Sequence, residues 1–152
     1  LHQYPAHKDE TDLELALRRA LEFKLDEIII IGALGDRWDM TFANLLLIAH
    51  ADFGAQSIRI VDGTQTLSIL RGGQQLRIQG QVGHTVSLVP LLGDAIGVTT
   101  QGLEYPLQDE ILHFGIPRGT SNVMRREQIS IQLESGLLLI VHISEMNDLS
   151  EN

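Results

Sequence analysis

The stretch Glu27-Ile28-Ile29-Ile30-Ile31-Gly32-Ala33-Leu34-Gly35 decides the fold of the first part of the chain. Its four consecutive isoleucines do not alternate with polar residues, which is typical of a strand buried on both faces in a parallel sheet with helices on each side. Gly32 and Gly35 predict a turn at the carboxyl end of this strand. Because ligands of open α/β sheets bind beyond the carboxyl ends of the strands, the residues after this turn are candidates for a site.

A helix is predicted on each side of this strand. Thr11-x-x-Glu14 fits a capping box, and Asp9 is an alternative cap. The apolar residues that follow share one helical stripe, formed by Leu13, Ala16, Leu17, Ala20 and Leu21. A second helix is expected from Thr41 to His50. Helix, buried strand, glycine turn and helix, in this order, indicate part of an open α/β sheet.

After Gly54 the pattern changes to short strands joined by tight turns. Roughly eight strands are expected, at 57–61, 64–70, 75–79, 86–89, 97–100, 111–114, 128–133 and 137–143. Such a series without a long helix predicts a β-sandwich or a barrel-like sheet. We therefore predict a partial doubly wound α/β domain at residues 1–55, followed by an antiparallel β-sandwich at residues 56–152. One helix, one strand and one helix do not close a doubly wound sheet, so the first part is expected to belong to a larger domain.

Composition limits the classes of partner. The 152 residues carry a net charge of −9, which disfavours a non-specific nucleic-acid binder but not an anionic nucleotide held by local cations and a metal ion. The chain has no cysteine, which excludes disulfides, thiolate metal sites and a cysteine nucleophile. The longest apolar runs, 28–31 and 45–49, are too short to cross a bilayer. We expect a cytoplasmic protein without nucleic-acid or membrane partners.

Two charged clusters lie at the predicted helix starts. Lys8-Asp9-Glu10-Thr11-Asp12 precedes the first helix, and Arg37-Trp38-Asp39 follows the glycine turn. Carboxylates hold divalent ions and cations neutralise phosphate oxygens, so the two clusters suit a metal-bound polyphosphate. The alternative for the first cluster is simple helix capping. The alternative for the second is a turn salt bridge packed over Trp38, or capping of the next helix by Asp36 or Asp39.

The remaining candidates are weaker. The six histidines show no metal-ligand spacing and are each expected to be surface or partly buried residues. Gly119-Thr120-Ser121-Asn122 is a polar turn between strands, which becomes a patch for a small ligand only with other evidence. Tyr105 precedes Pro106 and is expected either to pack on a sheet edge or to stack on a planar ring.

Taken together and in this order, these segments resemble the thiamine pyrophosphokinase family. The matching segments are Lys8-Asp9-x-Thr11-Asp12 with Glu14-Leu15-Ala16, Gly32-x-x-Gly35-x-Arg37-x-Asp39 with Asn44, Val86-Ser87-Leu88-Val89-Pro90, Thr99-Thr100-x-Gly102-Leu103-x-Tyr105-x-Leu107, and Ser121-Asn122. They cover essentially the whole chain. The resemblance implies an enzyme that transfers the pyrophosphoryl group of ATP to the hydroxyl of thiamine, with Mg²⁺, and releases AMP. It also implies a homodimer with thiamine between the nucleotide domain of one subunit and the sandwich of the other.

The resemblance also implies roles for single residues. It implies catalytic roles for Asp9, Asp12, Arg37 and Asp39, Mg²⁺ binding by Asp9 and Asp12, ATP binding by Lys8, Thr11, Arg37 and Asn44, and thiamine binding by Tyr105, Ser121 and Asn122. Tyr105 is expected to stack on thiamine. Residues 1–55 then form the carboxyl-terminal part of a nucleotide- and Mg²⁺-binding domain, and residues 56–152 form the thiamine-binding domain.

Three departures from the family pattern favour an alternative. Asp36 stands where relatives commonly have a second glycine, and Met40 stands where they have a polar histidine or glutamine. The acidic Gly-Asp-x-Asp motif of the family, which precedes the Lys8 segment, has no counterpart in the chain. The alternative is therefore a truncated, non-catalytic module that binds thiamine and dimerises.

Overall fold

The structure is a computed structural model of the chain and describes residues 10–145. Its two helices are α1 (Asp12–Leu21) and α2 (Trp38–Ala49). Its strands are β1 (Glu27–Ile31), β2 (Ser57–Asp62), β3 (Gln65–Arg71), β4 (Gln74–Gln79), β5 (Thr85–Pro90), β6 (Ala95–Gln101), β7 (Glu110–Leu112), β8 (Asn122–Val123), β9 (Gln128–Leu133) and β10 (Leu137–Ile143). Short 3₁₀ turns lie at Ala51–Phe53 and Pro117–Gly119. Neither α1 nor α2 has the length and apolar character that a bilayer crossing requires.

The strands form two sheets. The six-stranded sheet has the order β1-β2-β3-β10-β5-β8, and the four-stranded sheet has the order β4-β9-β6-β7. β1 and β2 are parallel, with Glu27 beside Ser57 and Ile31 beside Val61, whereas the other pairs are antiparallel. This arrangement confirms the predicted combination of a partial α/β unit and an antiparallel β-sandwich.

β10 separates two hydrophobic cores, because successive side chains of a strand point to opposite faces. Leu139 packs with Leu17 of α1 and Ile48 of α2. Leu138 and Ile140 face the other way and pack against the four-stranded sheet. The six-stranded sheet is therefore the middle of three layers, with both helices on one face and the second sheet on the other.

The prediction that β1 is buried on both faces was wrong. Ile28 and Ile30 face the helices, but Ile29 is 51% exposed and Ile31 is 81% exposed. The reason is that α1 and α2 both lie on the same face of the sheet. On the other face, the four-stranded sheet packs against β3, β10 and β5 and does not extend to β1.

The six-stranded sheet continues across the predicted domain boundary at residue 55. β1 and β2 lie on either side of this boundary and share one parallel register, and Ile30 and Ile60 belong to one core. Arg71 of β3 donates hydrogen bonds to the carbonyl oxygens of Ala49 and His50 at the end of α2, at 2.9 and 3.1 Å. The division into residues 1–55 and 56–152 stays a prediction, and the two parts share a sheet.

Candidate functional site

The start of α1 is capped as the sequence predicts. Thr11 occupies the N-cap, and its Oγ1 accepts a hydrogen bond from the amide of Glu14 at 3.2 Å. Asp12 is exposed in the first turn, where a carboxylate interacts favourably with the helix dipole. The predicted partners Lys8 and Asp9 lie outside the described residues. The Thr11 oxygen is thus engaged in capping, and its predicted contact with ATP stays a prediction.

Asp12 is the one member of the predicted Mg²⁺ pair that falls within the described part of the chain. Between residues 10 and 145, no three histidine, aspartate or glutamate side chains lie close enough together to hold a metal ion. Mg²⁺ is usually bound by one or two carboxylates together with water and substrate phosphates, so a site of this kind does not need a larger acidic cluster.

Arg37 and Asp39 form an ion pair just beyond the carboxyl end of β1. The Nη2–Oδ2 distance is 2.5 Å and the Nε–Oδ1 distance is 3.2 Å, so the pair is bidentate. The hydrogen bond from the Arg37 side chain, and after it the hydrogen bond from the backbone amide of Met40, lower the pKa of the Asp39 carboxyl below its ordinary value. Both side chains are exposed, at 73% and 64%. The predicted salt bridge is present and is open to a ligand.

Two details of the alternatives left open for this cluster were wrong. Trp38 does not pack beneath the pair but is 73% exposed, because the buried residues of α2 lie in its second half, beyond its first turn. Arg37, rather than Asp36 or Asp39, occupies the N-cap of α2, and its side chain makes no capping hydrogen bond. The first turn of α2 therefore does not pack against the hydrophobic core.

Asn44 fixes the turn that leads to this pair. Its side chain is buried, at 8% exposure, and its Nδ2 donates to the carbonyl oxygen of Ala33 at 2.7 Å. Thr41 makes a second link, because its Oγ1 accepts from the amide of Gly35 at 3.3 Å. Asn44 thus holds α2 against the glycine turn, and its predicted contact with ATP stays a prediction.

The structure brings Tyr105 together with Asn122 and its neighbour Ser121, and their predicted contacts with thiamine stay predictions. Asn122 Oδ1 accepts from the amide of Tyr105 at 3.1 Å, and Asn122 Nδ2 donates to the Tyr105 carbonyl at 2.7 Å. The ring of Tyr105 is 68% exposed, and Ser121 has a left-handed φ of 59°. Asn122 therefore positions Tyr105. The ring of Tyr105 and the hydroxyl of Ser121, the neighbour of Asn122, are both exposed.

Sequence reasoning missed two further residues that shape this cluster. Thr100 closes the loop that carries Tyr105, because its Oγ1 accepts from the amide of Leu107 at 2.9 Å and its own amide donates to the Leu107 carbonyl at 2.9 Å. Ser87 Oγ accepts from the amide of Ser121 at 3.0 Å. Both residues lie in segments that carry the family resemblance, but no spacing rule predicts hydrogen bonds between residues 34 positions apart, as Ser87 and Ser121 are.

One cavity lies next to the Tyr105 loop. Its volume is about 450 Å³, and Leu103, Pro106 and Arg125 line part of its wall. A larger cavity of about 690 Å³ lies between β4 and the strands β2 and β3. Of the predicted site residues that fall within residues 10–145, none lines the larger cavity, so its size does not mark it as the predicted site.

The two clusters lie at opposite edges of the six-stranded sheet. Arg37 and Asp39 follow β1 at one edge, whereas Asn122 belongs to β8 at the other edge. The five steps between neighbouring strands, at about 4.8 Å each, separate these edges by about 24 Å. A single copy of the chain therefore keeps its Arg37–Asp39 pair apart from its Tyr105 cluster.

Two family models match consecutive parts of the chain. The model described as "Thiamin pyrophosphokinase, catalytic domain" matches residues 1–61. The model described as "Thiamin pyrophosphokinase, vitamin B1 binding domain" matches residues 74–138. The first match contains the Arg37–Asp39 pair, and the second contains the Tyr105 cluster.

Individual relatives carry the same description. The chain is 28% identical to the thiamine pyrophosphokinase of Bacillus subtilis (strain 168) over 145 residues, which cover 95% of this chain and 68% of that protein. It is 24% identical to thiamin pyrophosphokinase 1 of Caenorhabditis elegans over 90% of this chain and 59% of that protein. The chain thus spans about two thirds of the length of the first relative and somewhat more than half of the second.

Solved structures of relatives have the same fold. The crystal structure of thiamine pyrophosphokinase from Bacillus subtilis matches with a TM-score of 0.85 and 27% identity, over 92% of this chain and 66% of that one. The crystal structure of thiamin pyrophosphokinase from Geobacillus thermodenitrificans matches with a TM-score of 0.83 and 26% identity, over 93% of this chain and 65% of that one. Both matches include the helical layer as well as the sandwich.

Proposed function

The chain belongs to the thiamine pyrophosphokinase family, and we propose that it acts in a thiamine diphosphokinase, which transfers the pyrophosphoryl group of ATP to the hydroxyl of thiamine. The observation that carries the proposal is that both domain models of this family match the chain, in order, over its two structural parts. In the reaction, the hydroxyl oxygen of thiamine bonds to the β-phosphorus of ATP and the bond between that phosphorus and the bridging oxygen of AMP breaks. The products are thiamine diphosphate, AMP and a proton.

We assign the phosphate side of the reaction to Arg37 and Asp39. Transfer of this kind depends on neutralising and aligning the phosphates, with little covalent chemistry from the protein. The exposed guanidinium of Arg37 is placed beyond the carboxyl end of β1, where ligands of α/β sheets bind. Since its partner lowers the pKa of Asp39, this carboxylate suits orienting the thiamine hydroxyl or a metal ion rather than acting as a strong base.

We propose that Asp12 contributes to Mg²⁺ binding, with Asp9 as its predicted partner. The Asp12 carboxylate is a suitable type of ligand for this ion, because it is exposed and Mg²⁺ prefers hard oxygen ligands. When bound, the ion would neutralise charge on the phosphate oxygens. Lys8, Thr11 and Asn44 complete the predicted nucleotide side, with Asn44 acting by holding the turn that follows β1.

We assign thiamine binding to the cluster of Tyr105, Ser121 and Asn122. The exposed ring of Tyr105 suits stacking on a planar ring, and the positive charge of the thiazolium favours the face of an aromatic side chain. Ser121 presents a hydroxyl next to it. Asn122 retains one unused N–H on its side-chain amide for the pyrimidine, while its other groups hold Tyr105.

We further propose a homodimer in which the nucleotide side of one copy faces the thiamine side of the other. This arrangement is supported by the separation of about 24 Å between the two edges of the sheet, which one copy does not bridge. We also propose a cytoplasmic location and no nucleic-acid partner, in keeping with the net charge of −9 and the absence of cysteine.

The test is a product assay with ATP, Mg²⁺ and thiamine, in which thiamine diphosphate and AMP are both quantified. Equal amounts of the two products are expected, because pyrophosphoryl transfer releases AMP, whereas transfer of a single phosphoryl group would release ADP. Reactions without Mg²⁺ and without thiamine are the controls. Release of ADP, or formation of AMP without thiamine diphosphate, would contradict the proposal.

The second candidate is a thiamine-binding dimerisation module without catalysis. The departures at Asp36 and Met40 favour it, because an extra carboxylate beside a phosphate site is unfavourable unless it binds a metal or points away. Calorimetry with thiamine, in the presence and absence of ATP and Mg²⁺, separates the two candidates. Thiamine binding that does not respond to ATP, together with no product in the assay above, would favour the module.

A further inference from the structure

Two neighbouring strands of the six-stranded sheet carry polar residues on the face that looks toward the four-stranded sheet. Ile58 of β2 and Leu67 of β3 pack with the helices. Because successive side chains of a strand point to opposite faces, residues 57 and 59 and residues 66 and 68 point the other way. Facing residues of a β-sandwich normally form its apolar core, as Leu70 does at the end of β3. The serine, arginine, threonine and serine at these four positions therefore interrupt the core.

These four side chains border one space. Ser57, Arg59, Thr66 and Ser68 all line the cavity of about 690 Å³ between β4 and the strands β2 and β3. Arg59 lies directly beside Ser68 in the strand register, and Thr66 lies directly beside His142, which also lines the cavity. The volume falls within the range of small-molecule pockets, about 300–1,000 Å³. None of these five residues belongs to the proposed nucleotide or thiamine side.

Most polar groups in this wall have no hydrogen-bond partner in the protein. Within residues 10–145, the hydroxyls of Ser57, Thr66 and Ser68 make no hydrogen bond with another residue. In the same part of the chain, Gln56 Nε2 and Arg59 Nε are buried donors without an acceptor. A buried polar group without a partner costs free energy. A ligand regains this free energy when it bonds to the hydroxyls and when a small turn of the Gln56 or Arg59 side chain brings a donor to it.

The charges in the wall favour a neutral ligand. Arg59 Nη2 donates to Glu27 Oε2 at 2.7 Å, and both side chains line the cavity and are partly exposed, at 39% and 37%. The guanidinium of Arg71, which also lines the cavity, is bound to the carbonyl oxygens at the end of α2. Glu27 repels an anion and Arg59 repels a cation. A hydroxyl both donates and accepts, so two adjacent hydroxyls on a ligand match the donors of Arg59 and the acceptors of Glu27.

The wall formed by β4 is apolar. Leu76 and Ile78 line the cavity and are partly buried against the core between the sheets. Arg77 stands between them and therefore points to the opposite face of β4. The cavity thus has one polar wall and one apolar wall. A saccharide ring has both kinds of surface, with hydroxyls around its edge and C–H groups on its faces.

We propose that this cavity binds a neutral saccharide of one or two rings. Its hydroxyls bond to the polar wall and its C–H face packs against Leu76 and Ile78. The polar wall consists of Glu27, Ser57, Arg59, Thr66 and Ser68. Each hydrogen bond to the sugar replaces one to water and contributes little, so we expect a dissociation constant in the millimolar range.

The test is saturation-transfer NMR on the intact chain with D-glucose and with maltose as probes. We expect transfer to the C–H protons of the sugar and, in ¹⁵N-labelled protein, shifts of the amide signals of Arg59 and Ser68 but not of Arg37 or Tyr105. D-Glucuronate and D-glucosamine add a negative and a positive charge to the same ring, and each should bind at least about 5-fold more weakly than glucose. A cavity that holds only water predicts no transfer to either sugar. That result, or tighter binding of a charged analogue, would overturn the proposal.

Two variants locate the bound sugar. Ser68→Leu places a larger apolar side chain in the cavity and should abolish detectable transfer. Arg59→Met removes the charged donors and should weaken binding by at least about 10-fold, since hydrogen bonds from charged groups are the stronger kind. Thermal melts establish that each variant is folded. Unchanged binding in both variants would place the sugar elsewhere and contradict the assignment.

Each variant has a matched control. Ser130→Leu makes the same change on β9, where Ser130 stands between the buried Ile129 and Ile131 and therefore points away from the space between the sheets. Arg118→Met removes an exposed arginine that pairs with Glu110. Both controls should bind glucose as the wild type does. A loss of binding in the controls equal to that in Ser68→Leu and Arg59→Met would show that the effect is not specific to the cavity.

Discussion

Asn122 holds the backbone of Tyr105 from both sides, accepting from its amide at 3.1 Å and donating to its carbonyl at 2.7 Å. The residues are 17 positions apart, yet one side chain fixes the place of an exposed aromatic ring. Since a ligand that stacks on a ring held in advance does not have to order it, the clamp should contribute to affinity without touching the reacting atoms.

Replacing Asn122 by alanine should weaken thiamine binding by about 30-fold, since two hydrogen bonds of about 1 kcal/mol each are lost. Calorimetry with thiamine measures the effect. Ser130→Ala, a strand serine outside the cluster, is the control. An unchanged dissociation constant for Asn122→Ala would show that the Tyr105 loop does not depend on this clamp for binding.

Replacing Arg37 by methionine should lower kcat/KM for pyrophosphoryl transfer by about 10²–10³-fold, because a preorganised cation near the developing phosphate charge is lost. The product assay under saturating Mg²⁺ measures this. Arg19→Met is the matched control, since Arg19 is an exposed arginine of α1 that pairs with Glu22 at the C-cap of this helix. A similar loss in both variants would point to a general charge effect instead of a local role for Arg37.

Replacing Asp12 by asparagine should reduce turnover by at least about 100-fold, because a neutral amide is a poor ligand for Mg²⁺ and the ion contributes several kcal/mol to the transfer. Turnover should recover in part as the Mg²⁺ concentration is raised. Asp26→Asn, at an exposed position before β1, serves as the control. Near-normal turnover of Asp12→Asn at low Mg²⁺ would exclude the proposed metal role.

Replacing Arg71 by methionine should lower the free energy of unfolding by about 2–3 kcal/mol, since charge-assisted hydrogen bonds to the end of a helix are lost together with favourable interaction with its dipole. Urea denaturation measures the change. Arg71→Lys should recover only part of it, because an ammonium does not reproduce the fork of a guanidinium that reaches the carbonyls of Ile48, Ala49 and His50. A loss below about 0.5 kcal/mol, which is typical of a surface substitution, would show that the end of α2 does not depend on the Arg71 hydrogen bonds.

Stability should fall as the pH is lowered from about 7.5 to about 5.5, and His142 should account for part of the fall. Burial, and then the neighbouring charge of His84, lower the pKa of His142 below its ordinary value of 6.5. The unfolded chain therefore takes up a proton on His142 near pH 6.5, while the folded chain does not. The contribution of neutral His142 to the free energy of unfolding is thus fully present above this pH and is lost as the pH falls below it. Thermal melts of the wild type and His142→Gln measure the difference. A wild type and variant with the same pH dependence would contradict this assignment.

Local sequence patterns predicted most of the elements because each predicted strand has its own alternation or turn signal. The exception is β8, which has two residues and therefore no period, and which exists only by pairing with β5. The exposure of Ile29 and Ile31 also escaped prediction, because a run of isoleucines does not reveal on which face both helices pack.

The family resemblance proposed the site residues, but the contacts of those within the described part of the chain were not predictable. The bonds from Asn44 to Ala33 and from Ser121 to Ser87 join residues 11 and 34 positions apart, at distances that depend on how helices and strands pack. The His84–His142 contact joins residues 58 positions apart and has no sequence spacing to mark it. Residue type indicates what such groups can bind, whereas tertiary structure decides which of them meet.

The central place of β10 has a consequence for how the protein forms during synthesis. β3 and β5 are made well before β10, but they are not neighbours in the sheet and are joined only when β10 inserts between them. Until residues 137–143 leave the ribosome, both strands expose unpaired edges. A nascent chain at this stage should therefore depend on chaperones, and the six-stranded sheet is completed only once residues 137–143 are available to pair with both strands.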